Sequence, residues 1–282
     1  MNGDVIILNK NRICIFGSDK RMNYLSEYFK KAGYTTDFHQ KIEKEKTYYA
    51  KYFILPIGTE PSTISSLIEK NIDSYFFVGN SSLTGEKVFD YFKDEVVTIQ
   101  NTIPTAEGTI ATAIMETDST LFGSKCLILG YGKVAKTLAS YLGCFGAKVT
   151  VAARKERDRV LASINLFNSI DITNLEEFVG DFDIIFNTVP AKIIKSEVLQ
   201  KVRDDCLIID LASKPGGVDF KEAELLGKRV IWALGLPGKT APKTASLYIF
   251  NYIYNIISKG EGSWLVFAFV VHFAITVEFY RF

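Results

Sequence analysis

The sequence has little histidine and little cysteine. Two histidines, His39 and His272, are too few for a multi-histidine metal site. Neither stands in a motif that would make it a general base, so the histidine-based chemistry of 2-hydroxy-acid dehydrogenases has no carrier here. The four cysteines, Cys14, Cys126, Cys144 and Cys206, are widely spaced and show no metal-ligand pattern. Cys14, Cys126 and Cys206 fall in or beside apolar strand patterns, where a thiol acts as a small hydrophobe, and this suits a reducing cytosol. An excess of charge of one sign is also missing. Lys and Arg number 33 against 32 Asp and Glu, with no basic run, so the chain lacks the electrostatic footprint of a nucleic-acid binder. No basic segment precedes an apolar stretch at Met1-Asn2-Gly3-Asp4, and no signal peptide is expected.

What the chain does have is apolar content, at 48% of 282 residues, enough for packed cores in about two domains. Its most informative segment is residues 125–155. Cys126–Leu129 is a short apolar run, the mark of a strand buried on both faces of a parallel sheet. Gly130 allows a tight turn. Gly132 lets the backbone approach a pyrophosphate lying on the N-terminus of the helix that begins there. Ala135 fills the third small position, and Gly146 suits a helix stop. A second strand follows at Val149–Ala152. Strand, glycine turn, helix and strand in this order predict a dinucleotide site formed by Gly130, Tyr131, Gly132, Lys133, Val134 and Ala135. An NAD site usually places Asp or Glu at the end of the second strand, to accept hydrogen bonds from the ribose 2′-OH. Here the sequence reads Ala152-Ala153-Arg154-Lys155. A guanidinium suits a 2′-phosphate, so Arg154 and Lys155 favour NADP over NAD.

Strand and helix patterns alternate along the rest of the chain and predict an α/β fold. Two Rossmann-like domains with parallel sheets are expected, with a cleft between them as the default ligand site. The first, residues 1–115, is read as a substrate domain. Its strands are Arg12–Phe16, Tyr52–Leu55 and Tyr75–Val78, with helices at about 21–32 and 62–70. Val88–Phe92 and Val96–Ile99 read as helix then strand, and Thr105–Phe122 as a helix with Thr105 as N-cap. The dinucleotide domain spans 116–242, with further strands at 183–186, 207–210 and 229–232. A helix over 243–258 is expected to pack back on the first domain. The tail 259–282 is unusual: Trp264–Val277 is apolar except for His272 and Thr276. It is short for a membrane span, which takes about 20 apolar residues. A packed element, a membrane-surface or oligomer contact, and an aberrant terminus all remain open for it.

Substrate chemistry belongs at the carboxyl ends of the strands. Asn187-Thr188-Val189-Pro190 could line the nicotinamide pocket or be a bare turn. Asp210 closes an apolar strand, and Ser213 and Lys214 follow with a hydroxyl and a cation. The Gly216-Gly217 pair permits a ligand to approach the backbone. Lys239 and Lys243 add positive charge suited to an anionic substrate. In the first domain Arg21 could clamp a carboxylate, while Asp19 binds beside it or simply caps the helix. The amides near Thr105 and Glu107 form a second candidate anion site.

Together these segments resemble the A subunits of dipicolinate synthases. The resemblance is carried by Gly17, Asp19 and Arg21, by Ile103–Gly108, Gly130–Ala135 and Ala153-Arg154-Lys155, by Asn187–Pro190, by Asp210–Asp219 and by Trp232–Ala245, and covers about residues 10–258. Ser18 departs from the second glycine of that family's first turn. The resemblance implies NADP-dependent oxidation, with dehydration, of a hydroxylated tetrahydrodipicolinate to pyridine-2,6-dicarboxylate during spore formation. It implies that the partner is a flavoprotein-like B subunit and the location the mother-cell cytoplasm; a homo-oligomer is left open. The substrate, a small dicarboxylate, matches Asp19, Arg21, Thr105, Ser213, Lys239 and Lys243. Loss of the hydroxyl needs a proton donor, with Lys214 and Glu107 as candidates and Asp210 in the same catalytic set. Two rivals remain: a shikimate-dehydrogenase-like oxidoreductase, which shares an Asn-Thr-x-Pro loop, and a non-catalytic nucleotide-binding protein that supports a partner enzyme.

Overall fold

The computed structural model describes residues 11–43 and 46–260. They form two units, one made of the chain up to Val97 together with the segment from Ser246, the other of Thr98–Ala245. Each unit is built on a parallel sheet of its own.

The first sheet contains β1 (Arg12–Phe16), β2 (Thr35–His39), β3 (Tyr52–Ile57), β4 (Tyr75–Gly79) and β5 (Val88–Asp90), in the order β2-β1-β3-β4-β5. Successive side chains alternate between two cores, as the period of a strand requires. Ile13, Ile15, Tyr52, Ile54 and Phe77 face one core, and Cys14, Phe16, Phe53, Leu55, Phe76 and Val78 the other. The first core is completed by Ile249, Phe250, Ile253 and Ile257, an apolar stripe at helical spacing on the helix Pro242–Gly260.

The expected order over residues 88–99 is reversed. Val88–Asp90 is a strand and Glu95–Gln100 a helix. Phe89 stacks on Phe77 at 5.5 Å, which favours the pleated surface. Asp94 accepts the Val97 N–H at 2.9 Å, a cap that starts the helix one residue later.

The second sheet contains β6 (Lys125–Leu129), β7 (Lys148–Ala153), β8 (Asn168–Asp171), β9 (Ile184–Asn187), β10 (Leu207–Asp210) and β11 (Arg229–Trp232), in the order β8-β7-β6-β9-β10-β11. The direction of winding reverses between β6 and β9. Such a switch point leaves a crevice outside the carboxyl ends of the strands, where doubly wound sheets bind ligands. Cys126 and Ile128 enter one core and Leu127 and Leu129 the other. Burial pushes the Cys126 and Cys206 thiols up to about 12, so both remain protonated.

The helix expected over Thr105–Phe122 runs instead from Thr102 to Glu116, with Asn101 at its N-cap. Pro104 is tolerated in its first turn, where an N–H has no partner to lose. Ala106, Ile110 and Ala113 pack into a core of the second unit. The units therefore divide at Val97, ahead of the boundary at 115 read from the sequence. A Cβ on Gly108 would lie 2.8 Å from Thr240 Oγ1 and 3.1 Å from Leu236 Cβ. This glycine lets the short helix Leu236–Thr240 lie against the longer one. Among the described residues no helix is long and apolar enough to cross a membrane. The apolar run Trp264–Val277 lies outside the described residues.

Candidate nucleotide-binding site

The turn leaving β6 contains two glycines with different physical demands. Gly130 has φ +92°, and a Cβ there would lie 2.7 Å from Thr188 Oγ1 and 3.0 Å from Val189 Cγ2. Backbone conformation and close packing both require glycine at this point. Gly132 has an ordinary φ of −78°, and a Cβ on it would meet no protein atom within 4 Å. The protein's own packing does not call for glycine there, but a ligand approaching the backbone would. The helix Lys133–Cys144 starts at Gly132 with no side-chain cap. Its first N–H groups and positive dipole end are thus offered to an anion. Ala135 is fully buried where helix meets sheet. These residues fit a dinucleotide pyrophosphate.

Other members of the predicted set are placed differently. Tyr131 is buried in the core, with Lys136 Nζ 5.5 Å from its ring centroid, so it presents backbone to the turn. Val134 is half-buried. Lys133 Nζ donates to Thr98 Oγ1 at 2.9 Å.

Beyond β7, Arg154 and Lys155 are exposed. The turn that carries them is tied down by a residue with no place in the sequence motif. Arg159 Nη1 donates to the carbonyls of Ala153 and Arg154 at 2.9 and 3.0 Å, and pairs with Asp171 Oδ2 at 2.7 Å. Hydrogen bonds from Thr173, and then the charge of Arg159, hold the Asp171 carboxyl below its ordinary range.

At the ends of β9 and β10 the polar side chains turn inward. Asn187 is wholly buried. Its Nδ2 donates to Asp210 Oδ1 at 2.8 Å and to the Val189 carbonyl at 3.0 Å, and its Oδ1 accepts the Val189 N–H at 3.1 Å. Thr188 Oγ1 donates to the Leu129 carbonyl at 2.7 Å. The surface of this loop is left to its backbone, to half-buried Val189 and to exposed Pro190.

Asp210 is fully buried and also accepts the N–H groups of Ala212 at 3.0 Å and Gly217 at 2.7 Å. It ties the loop 211–217 to the loop 187–190. A Cβ on Gly217 would lie 2.0 Å from Asn187 Nδ2, and one on Gly216 2.9 Å from Asp210 Oδ2. This inner packing, rather than an approaching ligand, accounts for the glycine pair. Trp232 Nε1 donates to the Ala212 carbonyl at 2.9 Å and holds the loop from the β11 side. Ser213 and Lys214 are exposed at its tip, and Lys239 and Lys243 are exposed further along.

Glu107 is exposed on its helix. Thr105 does not cap that helix: its hydroxyl and its N–H both donate to the Asn101 carbonyl, at 2.7 and 3.4 Å. The Thr105 N–H is therefore spent inside the helix and is not the open helix end expected there, because the helix begins a turn earlier.

In the first unit the turn after β1 leads into the helix Lys20–Lys31, capped by Asp19. Arg21 is 8% exposed. Its Nε lies 3.0 Å from Asp19 Oδ1 and its Nη2 2.6 Å from Oδ2. Burial raises the Asp19 carboxyl, but hydrogen bonds from Arg21 outweigh it and the net displacement is downward. Arg21 is thus a paired cation, held along one edge of its fork. His39 stacks on Phe16 at 5.2 Å and meets Tyr48 edge-on at 4.9 Å. Burial, and then the charge of Lys46, lower its pKa and favour the neutral ring.

Comparison with known proteins agrees with this geometry. Residues 102–230 match the family model described as S-adenosyl-L-homocysteine hydrolase, NAD binding domain. The A subunit of dipicolinate synthase from Bacillus subtilis is 37% identical over 195 residues, covering 68% of this chain and 65% of the relative; the match thus spans just under two thirds of that relative's length. The crystal structure of the dipicolinate synthase A subunit from Bacillus halodurans superposes with a TM-score of 0.80 at 26% identity, over 89% of this chain and 99% of that one. The corresponding Bacillus subtilis structure gives 0.76 at 26% identity, over 90% and 98%. By sequence and by fold, the chain is a relative of the dipicolinate synthase A subunits, and its second unit is a Rossmann-type domain of the NAD-binding class.

Proposed function

We propose that the chain oxidises a hydroxylated tetrahydrodipicolinate to pyridine-2,6-dicarboxylate with NADP+ as acceptor, acting with a flavoprotein-like B subunit in the mother-cell cytoplasm of a sporulating bacterium. The observation that carries this reading is the open Gly132 turn at an uncapped helix, followed at the end of β7 by Arg154 and Lys155 with no carboxylate. The relatives' name gives the product, dipicolinate, and implies a further subunit; both support the reading.

The chemistry divides into two balanced steps. Dehydration breaks the C4–O bond and a neighbouring ring C–H bond, and the hydroxyl leaves as water. Oxidation then removes two electrons and two protons from the ring, making it aromatic. A dinucleotide held by its pyrophosphate at the glycine turn would supply its nicotinamide as the two-electron acceptor, taking a hydride while the second proton goes to solvent. Arg21, held by Asp19 along its Nε and Nη2 edge, keeps the rest of its fork for a substrate carboxylate. Ser213, Lys239 and Lys243 add polar and positive contacts for the dicarboxylate. Lys214 donates the proton to the leaving hydroxyl, with Glu107 as the other candidate. Asp210 positions Lys214 through the loop it anchors and does not itself touch substrate. Aromatisation is strongly downhill, so hydride removal needs less help from a potent base.

Purified protein, with and without the B subunit, should convert the pathway intermediate to pyridine dicarboxylate, seen at its ultraviolet band, while NADPH rises in step. Product without NADPH would make the nucleotide regulatory. No product in either case would return the chain to another dehydrogenase class. Lys214→Ala should lower turnover by about 10²-fold or more, the usual contribution of a general acid, while NADPH binding holds. Wild-type turnover in that variant would remove Lys214 from the mechanism.

A further inference from the structure

Arg159 lies on the helix Glu156–Ile164, outside the dinucleotide motif. Its Nη1 alone meets three oxygens, the Ala153 and Arg154 carbonyls and Asp171 Oδ2. Those carbonyls mark the end of β7, the place where a Rossmann domain reads the substituent on the ribose 2′ carbon. Asp171 ends the neighbouring strand β8 and pairs in register with Ala153. One guanidinium therefore fixes the ends of two strands and the turn between β7 and its helix. Arg154 and Lys155, which sit on that turn, are themselves exposed side chains. Holding a phosphate with a long exposed cation costs side-chain entropy, and a turn that is already fixed adds no backbone ordering to that cost.

We propose that Arg159 is a positioning residue for cofactor selectivity: by clamping the Ala153 and Arg154 carbonyls against Asp171, it holds Arg154 and Lys155 where a ribose 2′-phosphate binds. The inference rests on the NADP reading above and deepens it. Arg159 touches the turn and not the pyrophosphate cradle at Gly130–Gly132. Its loss should thus act on the 2′-phosphate and spare what NADPH and NADH share.

The test is fluorescence titration of the full chain with NADPH and with NADH, with thermal unfolding recorded alongside. Wild type should favour NADPH, and Arg154→Ala should abolish that preference. Arg159→Met should weaken NADPH by about tenfold, the loss of one charge-assisted hydrogen bond, and NADH by less than about twofold. Asp171→Asn keeps the guanidinium but loosens its anchor, and should fall between; it decides the question if Arg159→Met does not fold. Equal weakening of both nucleotides, or an unchanged ratio, would show a merely structural Arg159 and overturn the inference while the NADP reading stands. An unchanged ratio in Arg154→Ala beside a wild-type preference for NADPH would likewise overturn the inference alone, whereas wild-type preference for NADH would overturn the NADP reading and Arg159's role with it.

Discussion

Gly130 and Gly132 stand two residues apart, yet alanine at each should have opposite consequences. At Gly130, φ +92° costs a non-glycine residue about 1–2 kcal/mol, and the new methyl presses on Thr188 Oγ1 at 2.7 Å and Val189 Cγ2 at 3.0 Å. Overpacking of this kind costs about 1–3 kcal/mol, so Gly130→Ala should lose roughly 2–5 kcal/mol in all. At Gly132, φ is −78° and the methyl meets no protein atom within 4 Å. Stiffening the unfolded chain contributes about 0.4–1 kcal/mol, and the poorer N-cap takes back about as much. Gly132→Ala should therefore unfold within about 0.5 kcal/mol of wild type, which is ordinary for a surface substitution. Its effect should appear in binding, because the methyl occupies the approach to the helix amides. Denaturant unfolding and NADPH titration separate the two. A Gly132→Ala protein that binds NADPH as wild type does, or that loses as much stability as Gly130→Ala, would refute the reasoning.

Asp210→Ala would strand two buried backbone N–H groups and remove one of the two acceptors of the Asn187 amide; at about 1–3 kcal/mol for each unmade bond, denaturant unfolding should register a loss of about 3 kcal/mol or more. Gly108→Ala should destabilise despite alanine's better helix propensity, because the methyl meets Thr240 at 2.8 Å; adding Thr240→Ala should recover most of the loss in a double-mutant cycle. Because Arg21 depresses the Asp19 carboxyl, that pair stabilises the first unit in full above the ordinary carboxylate pKa of about 4 and loses its contribution as pH falls through the lowered value. Arg21→Met should flatten this acid limb in pH-resolved unfolding.

Most of the strands that can be read from sequence are those whose two faces are both covered; β11 is an edge strand, but Val230-Ile231-Trp232 still gives it an apolar run. β1, β3, β4, β6, β7, β9 and β10 present runs such as Ile13–Phe16 and Leu207–Ile209, because parallel strands inside α/β layers bury alternate residues in different cores. β2 and β8 were missed for the converse reason. Both are edge strands, and Thr35–His39 and Asn168–Asp171 contain no apolar run because solvent reaches them. The reversal at residues 88–100 has a local cause. Val, Phe and Ile serve helix and strand alike over such short stretches, and only the Asp94 cap distinguishes them.

Site residues were harder to read, because a motif gives spacing but not the direction in which a side chain is held. The Asn-Thr-Val-Pro loop reads as a ligand-lining segment, but Asn187 and Thr188 spend their polar atoms on Asp210, Val189 and Leu129. Arg21 reads as a free clamp and is a paired one. Arg159 gives no local signal, since its partner Asp171 sits on an edge strand with no sequence pattern of its own. A common distinction runs through these cases. Polar groups whose bonds close within the protein set the shape of the carboxyl-end loops: Asp210, Asn187, Thr188 and Arg159. Groups left open by the same folding, the Gly132 turn, Arg154, Lys155 and Lys214, are those with chemistry to offer a ligand. Substitutions in the first set should therefore move stability or geometry first and activity through it, whereas those in the second should move binding or turnover at nearly constant stability.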